Sequence, residues 1–323
     1  MEKIVLAPPK PSPTPRILEL SAQSDGTRLD LFLAAQLGLS RAQARRLLER
    51  GAVALDGRRL GLGDKGTALG ARGELSVAPF AAPADQRIPP PGPGESPPRV
   101  LAQGSGWLAL DKPAGMPVHP LVEGETGTLL GQVFSLHPEI HGVGEGGLRS
   151  GVVHRLDVDT SGVMLVATAE PAWARIRAGF QNHRVAKRYL ALVEGVVEWP
   201  AEGLELSLAL RVARHRPARV RVATPEEAAR GRARVIEQTM RPVEVFSGAS
   251  LVEIRPRTGF LHQIRASLAH LGHPVLGDVR YGAEPGRGGA GRHMLHAAEI
   301  GFEEIAAEAA PPPDFHEVLE ALR

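Results

Sequence analysis

Ser150-Gly151-Val152-Val153-His154-Arg155-Leu156-Asp157-Val158-Asp159-Thr160-Ser161-Gly162 is the stretch around which the chain is organised. An apolar pair, Val152-Val153, leads into a knot of polar side chains. A second apolar run, Val163 to Ala167, leaves it. Two such runs around a polar segment predict two strands joined by a loop. Loops held by a rigid scaffold are favoured places for chemistry. On spacing alone, an ordinary charged hairpin loop serves equally well.

Outward from this stretch, composition narrows the classes. A chain of 323 residues has room for one large domain and a small one. It contains no cysteine, which removes disulfides, thiol catalysis and cysteine-bound metal. Met1-Glu2-Lys3-Ile4 is not a basic region followed by an apolar stretch, and no run is long enough to span a membrane. The expectation is a cytoplasmic protein with no membrane partner, acting as a monomer. The formal net charge is only +2, so the distribution of charge says more than its sum. Arg41, Arg45, Arg46 and Arg50 crowd one segment. Arg211, Arg214, Arg216, Arg219, Arg221, Arg230, Arg232 and Arg234 crowd another. Clustered arginine favours a phosphate-rich partner, although any single cluster can be a solvated face.

In chain order, residues 1–24 begin with many prolines and read as a flexible arm. Residues 25–80 read as a small domain. Leu29, Phe32, Leu33 and Leu37 recur at helical spacing up to Gly38. Ser40 and Gln43 have capping-box spacing before a second, arginine-rich helix. Val53 and Leu55 lead to the turn pair Asp56-Gly57, and Leu75 and Val77 suit a closing strand. Residues 81–98, dense in proline, read as a linker. Residues 99–323 form the large domain. Trp107 to Leu110 and Arg188 to Gly195 read as strands, as do Val243-Val245 and Leu251-Ile254, joined near Ser247-Gly248. Helices are expected over Thr128–Leu136, on the face of Trp173, Ile176 and Phe180, and after Gly259 up to Gly272. The fold class is α+β with a mixed, largely antiparallel central sheet and flanking helices. The stretch from Arg211 to Arg221 reads equally as an edge strand or an RNA track.

Three segments carry more polar specificity than packing needs: His154-Arg155-Leu156-Asp157, Lys187-Arg188-Tyr189, and Arg257 to Arg265. A carboxylate such as Asp157 can act as nucleophile, base or acid. An arginine beside it keeps it ionised. Tyr189 offers a face for a nucleobase, and Arg155 can fill the gap left by an extruded base. Together these groups suit chemistry on a nucleotide. His262, His270 and His273 do not have a zinc-site arrangement, so no metal is expected.

These segments resemble the RluA family of RNA pseudouridine synthases. The matching residues are His154-Arg155-Leu156-Asp157 with Thr160-Ser161-Gly162, Lys112-Pro113-Ala114-Gly115 with Val118-His119-Pro120, Lys187 and Tyr189, and His262-Gln263-Ile264-Arg265. Gly272-His273-Pro274, Gly277-Asp278 and Tyr281-Gly282 follow in the same order. Upstream, the run from Arg28 to Gly57 resembles the alpha-L RNA-binding fold first known from a small-subunit ribosomal protein. The resemblance implies the pseudouridine synthase fold. The reaction detaches a uracil, turns it and rejoins it through carbon, with no cofactor and no metal. It makes Asp157 the catalytic aspartate, with Arg265 as its partner. Tyr189 stacks on the uracil, and Arg155 takes the vacated place in the RNA. It adds His154, Lys187, His262 and Gln263 to the substrate site, and Arg41, Arg45 and Arg46 to the RNA surface of the small domain. The expected partner is RNA, ribosomal RNA of the large subunit first and transfer RNA second. One departure stands out. Phe260-Leu261 replaces the family's frequent Arg-Thr, exchanging a positive charge near the site for apolar side chains. Two rivals remain from the residues alone. One is a non-catalytic RNA-binding or ribosome-assembly factor. The other is a hydrolase using Asp157 and Asp159, which would point the same way in an extended strand.

Overall fold

The computed structural model describes residues 15–39, 41–80, 86–92, 94–215 and 217–323, without the side chain of Ala42. Two compact units emerge. One holds residues up to Arg87 with Gly146–Leu148, and the other holds Ile88–Glu145 with Arg149–Arg323.

The first unit contains β1 (Arg16–Glu19), α1 (Leu29–Leu37), α2 (Arg41–Glu49), β2 (Val53–Leu55), β3 (Arg58–Leu60) and β4 (Glu74–Val77). Its strands form one sheet in the order β1-β4-β2-β3. Leu29, Leu33, Leu48, Val53, Leu75 and Val77 build the core between helices and sheet. Gly38 closes α1 in the left-handed conformation at φ 64°. Asp56 (φ 47°) and Gly57 (φ 80°) both take positive φ, as the tight turn between β2 and β3 requires. The arm expected over 1–24 does not include residues 16–20. Residues 16–19 pair antiparallel with β4, and Leu20 is buried on the same core. Residues 1–14 and Ser40, half of the expected capping box, lie outside the described residues.

The expected linker is also partly structure. Ile88 is buried against Leu108, Leu110 and Leu130 of the second unit, because one large apolar side chain in a proline-rich run still gains by leaving water. Residues 81–85 and Pro93 lie outside the described residues.

The second unit is built on β5 (Arg99–Gly104), β6 (Trp107–Lys112), β7 (Ser161–Ala167), β8 (Ala186–Glu194), β9 (Leu204–His215), β10 (Ala218–Val222), β11 (Arg234–Phe246), β12 (Ala249–Pro256), β13 (Leu295–Phe302) and β14 (Ile305–Glu308). They form one ten-stranded sheet, β10-β9-β11-β12-β8-β13-β7-β6-β5, with β14 added beside β13. Only the β13–β7 pair is parallel. The helices are α3 (Leu129–Leu136), α4 (Glu170–Gln181), α5 (Pro225–Ala229), α6 (Gln263–His270) and α7 (Pro313–Leu322). β7 is buried at every residue. Val163, Leu165 and Ala167 pack with Ile176 of α4, whereas Met164 and Val166 pack with Leu129 and Leu130 of α3. A strand covered on both faces reads as a continuous apolar run, which Val163–Ala167 does. Phe260 and Leu261 pack against Leu210, Val220 and Ile236 and form an apolar wall. The arginine-rich stretch does include an edge strand, β10; Arg216 lies outside the described residues.

The strand expected before the polar knot is not there. It is reduced to one bridge, Val152 to Val166. Gly151 takes φ 71°, and a Cβ there would lie 2.3 Å from the Ala167 carbonyl oxygen, so only glycine fits this close approach to the end of β7. Farther on, the His154 ring takes the role of a strand carbonyl: its Nε2 accepts the Leu165 N–H at 2.9 Å.

Candidate active site

One cross-strand row assembles the site. Lys112 of β6 pairs with Gly162 of β7, Gly162 with Ala297 of β13, Ala297 with Tyr189 of β8, and Tyr189 with Ile254 of β12. Tyr189 therefore stands two strands from the start of β7. The residues just before β7 carry Asp157. They form a turn closed by the Thr160 N–H donating to the Asp157 carbonyl at 3.1 Å. This turn overturns the extended geometry that would align Asp157 with Asp159 as a hydrolase pair.

Asp157 meets Arg265 from the first turns of α6. Arg265 Nη1 donates to Asp157 Oδ2 at 2.7 Å. Its other side is held by Asp278, with Nε to Oδ2 at 2.6 Å and Nη2 to Oδ1 at 2.8 Å. The guanidinium is only 7% exposed, so its fork is fixed and aimed. Among the described residues nothing bonds Asp157 Oδ1, which leaves that oxygen for a substrate. Burial pushes the Asp157 carboxyl up, but the charges of His262 and Arg265 and the Arg265 hydrogen bond outweigh it and hold the group below its ordinary range. Burial, reinforced by the negative charge of Asp157, pushes the Tyr189 phenol above its ordinary value, so it stays neutral.

His262 begins α6 in the left-handed region, at φ 50°. Its Nδ1 pairs with the Tyr281 hydroxyl at 2.9 Å, and its Nε2 faces Asp157 Oδ2 at 3.9 Å. The Tyr281 hydroxyl also accepts the Val220 N–H, and the Arg265 guanidinium lies 5.1 Å above the Tyr281 ring. The turn itself is gripped residue by residue. Lys112, fully buried, donates from Nζ to the carbonyls of Pro113, Met116 and Val158, each at 2.8 Å. Arg292 Nη1 donates to the Asp159 carbonyl at 2.9 Å, and Thr160 Oγ1 pairs with His293 Nε2 at 2.9 Å.

The structure thus joins Asp157, Arg265 and His262 directly, with Tyr189 on the adjoining row. Arg155 is exposed and has no hydrogen-bond or ion-pair partner among the described residues. Lys187 bonds the Thr258 carbonyl at 3.1 Å and lies over the Phe180 ring, on which His154 also stacks. Two of the residues assigned to the substrate site are bonded within the fold. His154 is occupied by Leu165. Gln263, 5% exposed, accepts from Thr258 Oγ1 and the Phe260 N–H and donates to Gln238. In the first unit, Arg41 and Arg45 are tied with Arg28 to the buried Asp30 carboxylate, and Arg46 is exposed. Among the described residues no cluster of His, Asp or Glu could hold a metal ion.

Sequence reasoning assigned no role to Lys112, Asp278, Tyr281, Arg292 or His293. The signal was available for the last two. Arg292-His293-Met294-Leu295-His296-Ala297 sets polar residues in an apolar strand entry, and buried polar groups need partners.

A part-buried Asp–Arg–Asp array beside an aromatic residue, in a chain that also carries an arginine-bearing small unit, suits chemistry on a nucleotide. The comparisons agree. Residues 106–270 match the RNA pseudouridylate synthase family, and residues 27–65 match the S4 domain. An uncharacterized RNA pseudouridine synthase of Mycobacterium bovis is 35% identical over 92% of this chain and 95% of the relative. Ribosomal large subunit pseudouridine synthase D of Zymomonas mobilis is 31% identical over 73% of this chain and 77% of the relative. Human RNA pseudouridylate synthase domain containing 1 superposes with TM-score 0.53 at 26% identity, covering 68% of this chain and 86% of that one. The chain belongs to the RNA pseudouridylate synthase family, whose members are isomerases acting on RNA.

Proposed function

We propose that the protein isomerises uridines of large-subunit ribosomal RNA, with Asp157 as the reacting carboxylate. The observation that carries this is the Asp157–Arg265–Asp278 array. It keeps Asp157 ionised, aims it and leaves Oδ1 open. An ionised carboxylate is what the reaction needs, whether it attacks the ribose or the uracil as nucleophile or removes a ribose proton as base. The target base must leave its stack to reach a carboxylate in a turn at the start of an interior strand. Tyr189 supplies a face for the extruded uracil, and Arg155, exposed on the same segment, reaches the RNA strand. Phosphates of the RNA are a match for exposed arginines of the first unit such as Arg46. The ribosomal target rests on similarity to relatives such as ribosomal large subunit pseudouridine synthase D of Zymomonas mobilis. The reading places a monomeric enzyme in the cytoplasm.

The test uses unmodified ribosomal RNA and unmodified transfer RNA as separate substrates, digested after incubation and assayed for pseudouridine. Product is expected from large-subunit RNA. Asp157→Asn should form none while binding RNA with wild-type affinity. Product from transfer RNA alone would overturn the target, and an active Asp157→Asn would overturn the role of the aspartate.

A further inference from the structure

Each residue of the Asp157–Thr160 turn is held by a side chain from outside it, and the grip on Asp159 leads outward. Arg292 gives Nη1 to the carbonyls of Asp159 (2.9 Å) and His293 (3.0 Å). Its Nε and Nη2 fork onto the Asp314 carboxylate at 2.6 and 3.1 Å. Asp314 lies in the first turn of α7, and its Oδ1 also accepts the Phe315 N–H. α7 is itself anchored, since Phe315, Val318 and Leu319 pack with Ile254, Met294 and Leu295. The Arg292 side chain is 10% exposed, whereas that of Asp314 is 49% exposed.

Packing does not hold this side of the turn. A cleft of about 660 Å³ lies beside it, lined by Ala114, Gly115, Asp159, Arg292, Asp314 and Val318 among others. Where side chains do not fill the space, directed hydrogen bonds set the backbone position. A guanidinium suits the task. Its planar fork holds two carbonyls on one edge and a carboxylate on the other, which a lysine ammonium cannot reproduce.

We propose that Arg292, aimed by Asp314, is a positioning residue for Asp157, so that the docking of α7 is a condition for a competent site. The inference rests on Asp157 being the reacting carboxylate. Arg292 acts through the backbone of the turn two residues away and touches no reacting atom. A small displacement is enough, because moving a reacting group by about 1 Å costs up to about a hundredfold in rate.

The experiment uses the full chain and measures single-turnover pseudouridine formation at saturating RNA, with RNA affinity and the folded fraction measured separately. Asp314→Asn keeps the shape and removes the charge at a half-exposed position. It should slow the step about tenfold at unchanged RNA affinity and unchanged folded fraction. Asp314→Glu should restore the rate to within about twofold, and Arg292→Lys should slow it as Asp314→Asn does. The double variant should be no slower than Arg292→Lys alone, because both act through one linkage. Wild-type rates in Asp314→Asn and Arg292→Lys, with Asp157→Asn inactive, would overturn the inference and leave Asp157 in place. Rate loss that only tracks loss of folded protein, or no recovery in Asp314→Glu, would make the role structural and also overturn it. An active Asp157→Asn would instead overturn the reading beneath it.

Discussion

Asp157 is one carboxylate facing one guanidinium, and that guanidinium serves a second carboxylate. Arg265 therefore does not fully neutralise Asp157; it orients Oδ2 and leaves Oδ1 available. The pH dependence follows with a definite sign. Asp157 is held below its ordinary range, so the reactive ionised form persists down to about pH 4, and activity is lost as pH falls through the lowered value. At the other end, burial brings Lys112 down to about 8. A neutral amine has too few N–H groups for its three carbonyls, so the rate should fall as pH rises past about 8. A rate profile between pH 3 and 10 checks both limbs. Arg265→Met removes the shared cation and leaves two facing carboxylates. Its acid limb should move to higher pH, and stability should fall by about 3–5 kcal/mol in urea denaturation. An unmoved acid limb would show that Arg265 does not set the charge of Asp157.

At the scale of elements, β7 and its entry decide the geometry. Gly162 takes φ 113° where β7 meets β13, and a Cβ there would lie 2.1 Å from the Ala297 carbonyl oxygen. Gly162→Ala should therefore force β7 from β13, break the row that reaches Tyr189 and destabilise the protein by about 3 kcal/mol or more. Thermal denaturation together with the turnover assay would show whether stability and activity fall together. β7 was legible because both its faces are apolar, and the α1–α2 pair because of helical spacing and Gly38. The element before the polar knot was not legible. Alternation cannot reveal that a histidine ring, not a backbone carbonyl, meets Leu165. In the first unit, α2 arrives already tied to α1, with Arg28, Arg41 and Arg45 converging on a carboxylate that has no exposed surface. Asp30→Ala should cost about 2 kcal/mol by leaving three cations without their partner. The carboxyl is held far below its ordinary range by those arginines against the cost of burial. Its contribution should therefore be complete above about pH 4 and be lost progressively as pH falls from there through the lowered value. In urea titrations the advantage of wild type over Asp30→Ala should still be largely present at about pH 3 and shrink below it.

For the whole molecule, one chain joins an arginine-bearing unit to a unit that does chemistry, and binding to a polyanion can be tuned apart from the reaction. Arg46→Ala removes an exposed charge without disturbing Asp30. It should weaken RNA binding, lower the slope of log affinity against log salt by about 1, and leave the rate at saturating RNA unchanged. A salt titration of RNA binding measures the slope, and a wild-type slope would take Arg46 off the RNA surface. Sequence by itself determined the α+β class and the family, because periodicity and short polar motifs are local properties. Tertiary structure alone decided which partner each polar residue finds. Gln263 and His154 bond within the fold, Asp278 grips Arg265, and Arg292 holds the turn at Asp159. The physical reason is that a buried polar group is satisfied by whatever the fold brings within hydrogen-bond distance. Here the partners lie more than a hundred residues apart in the chain: Arg265 on Asp157, Arg292 on Asp159 and His293 on Thr160.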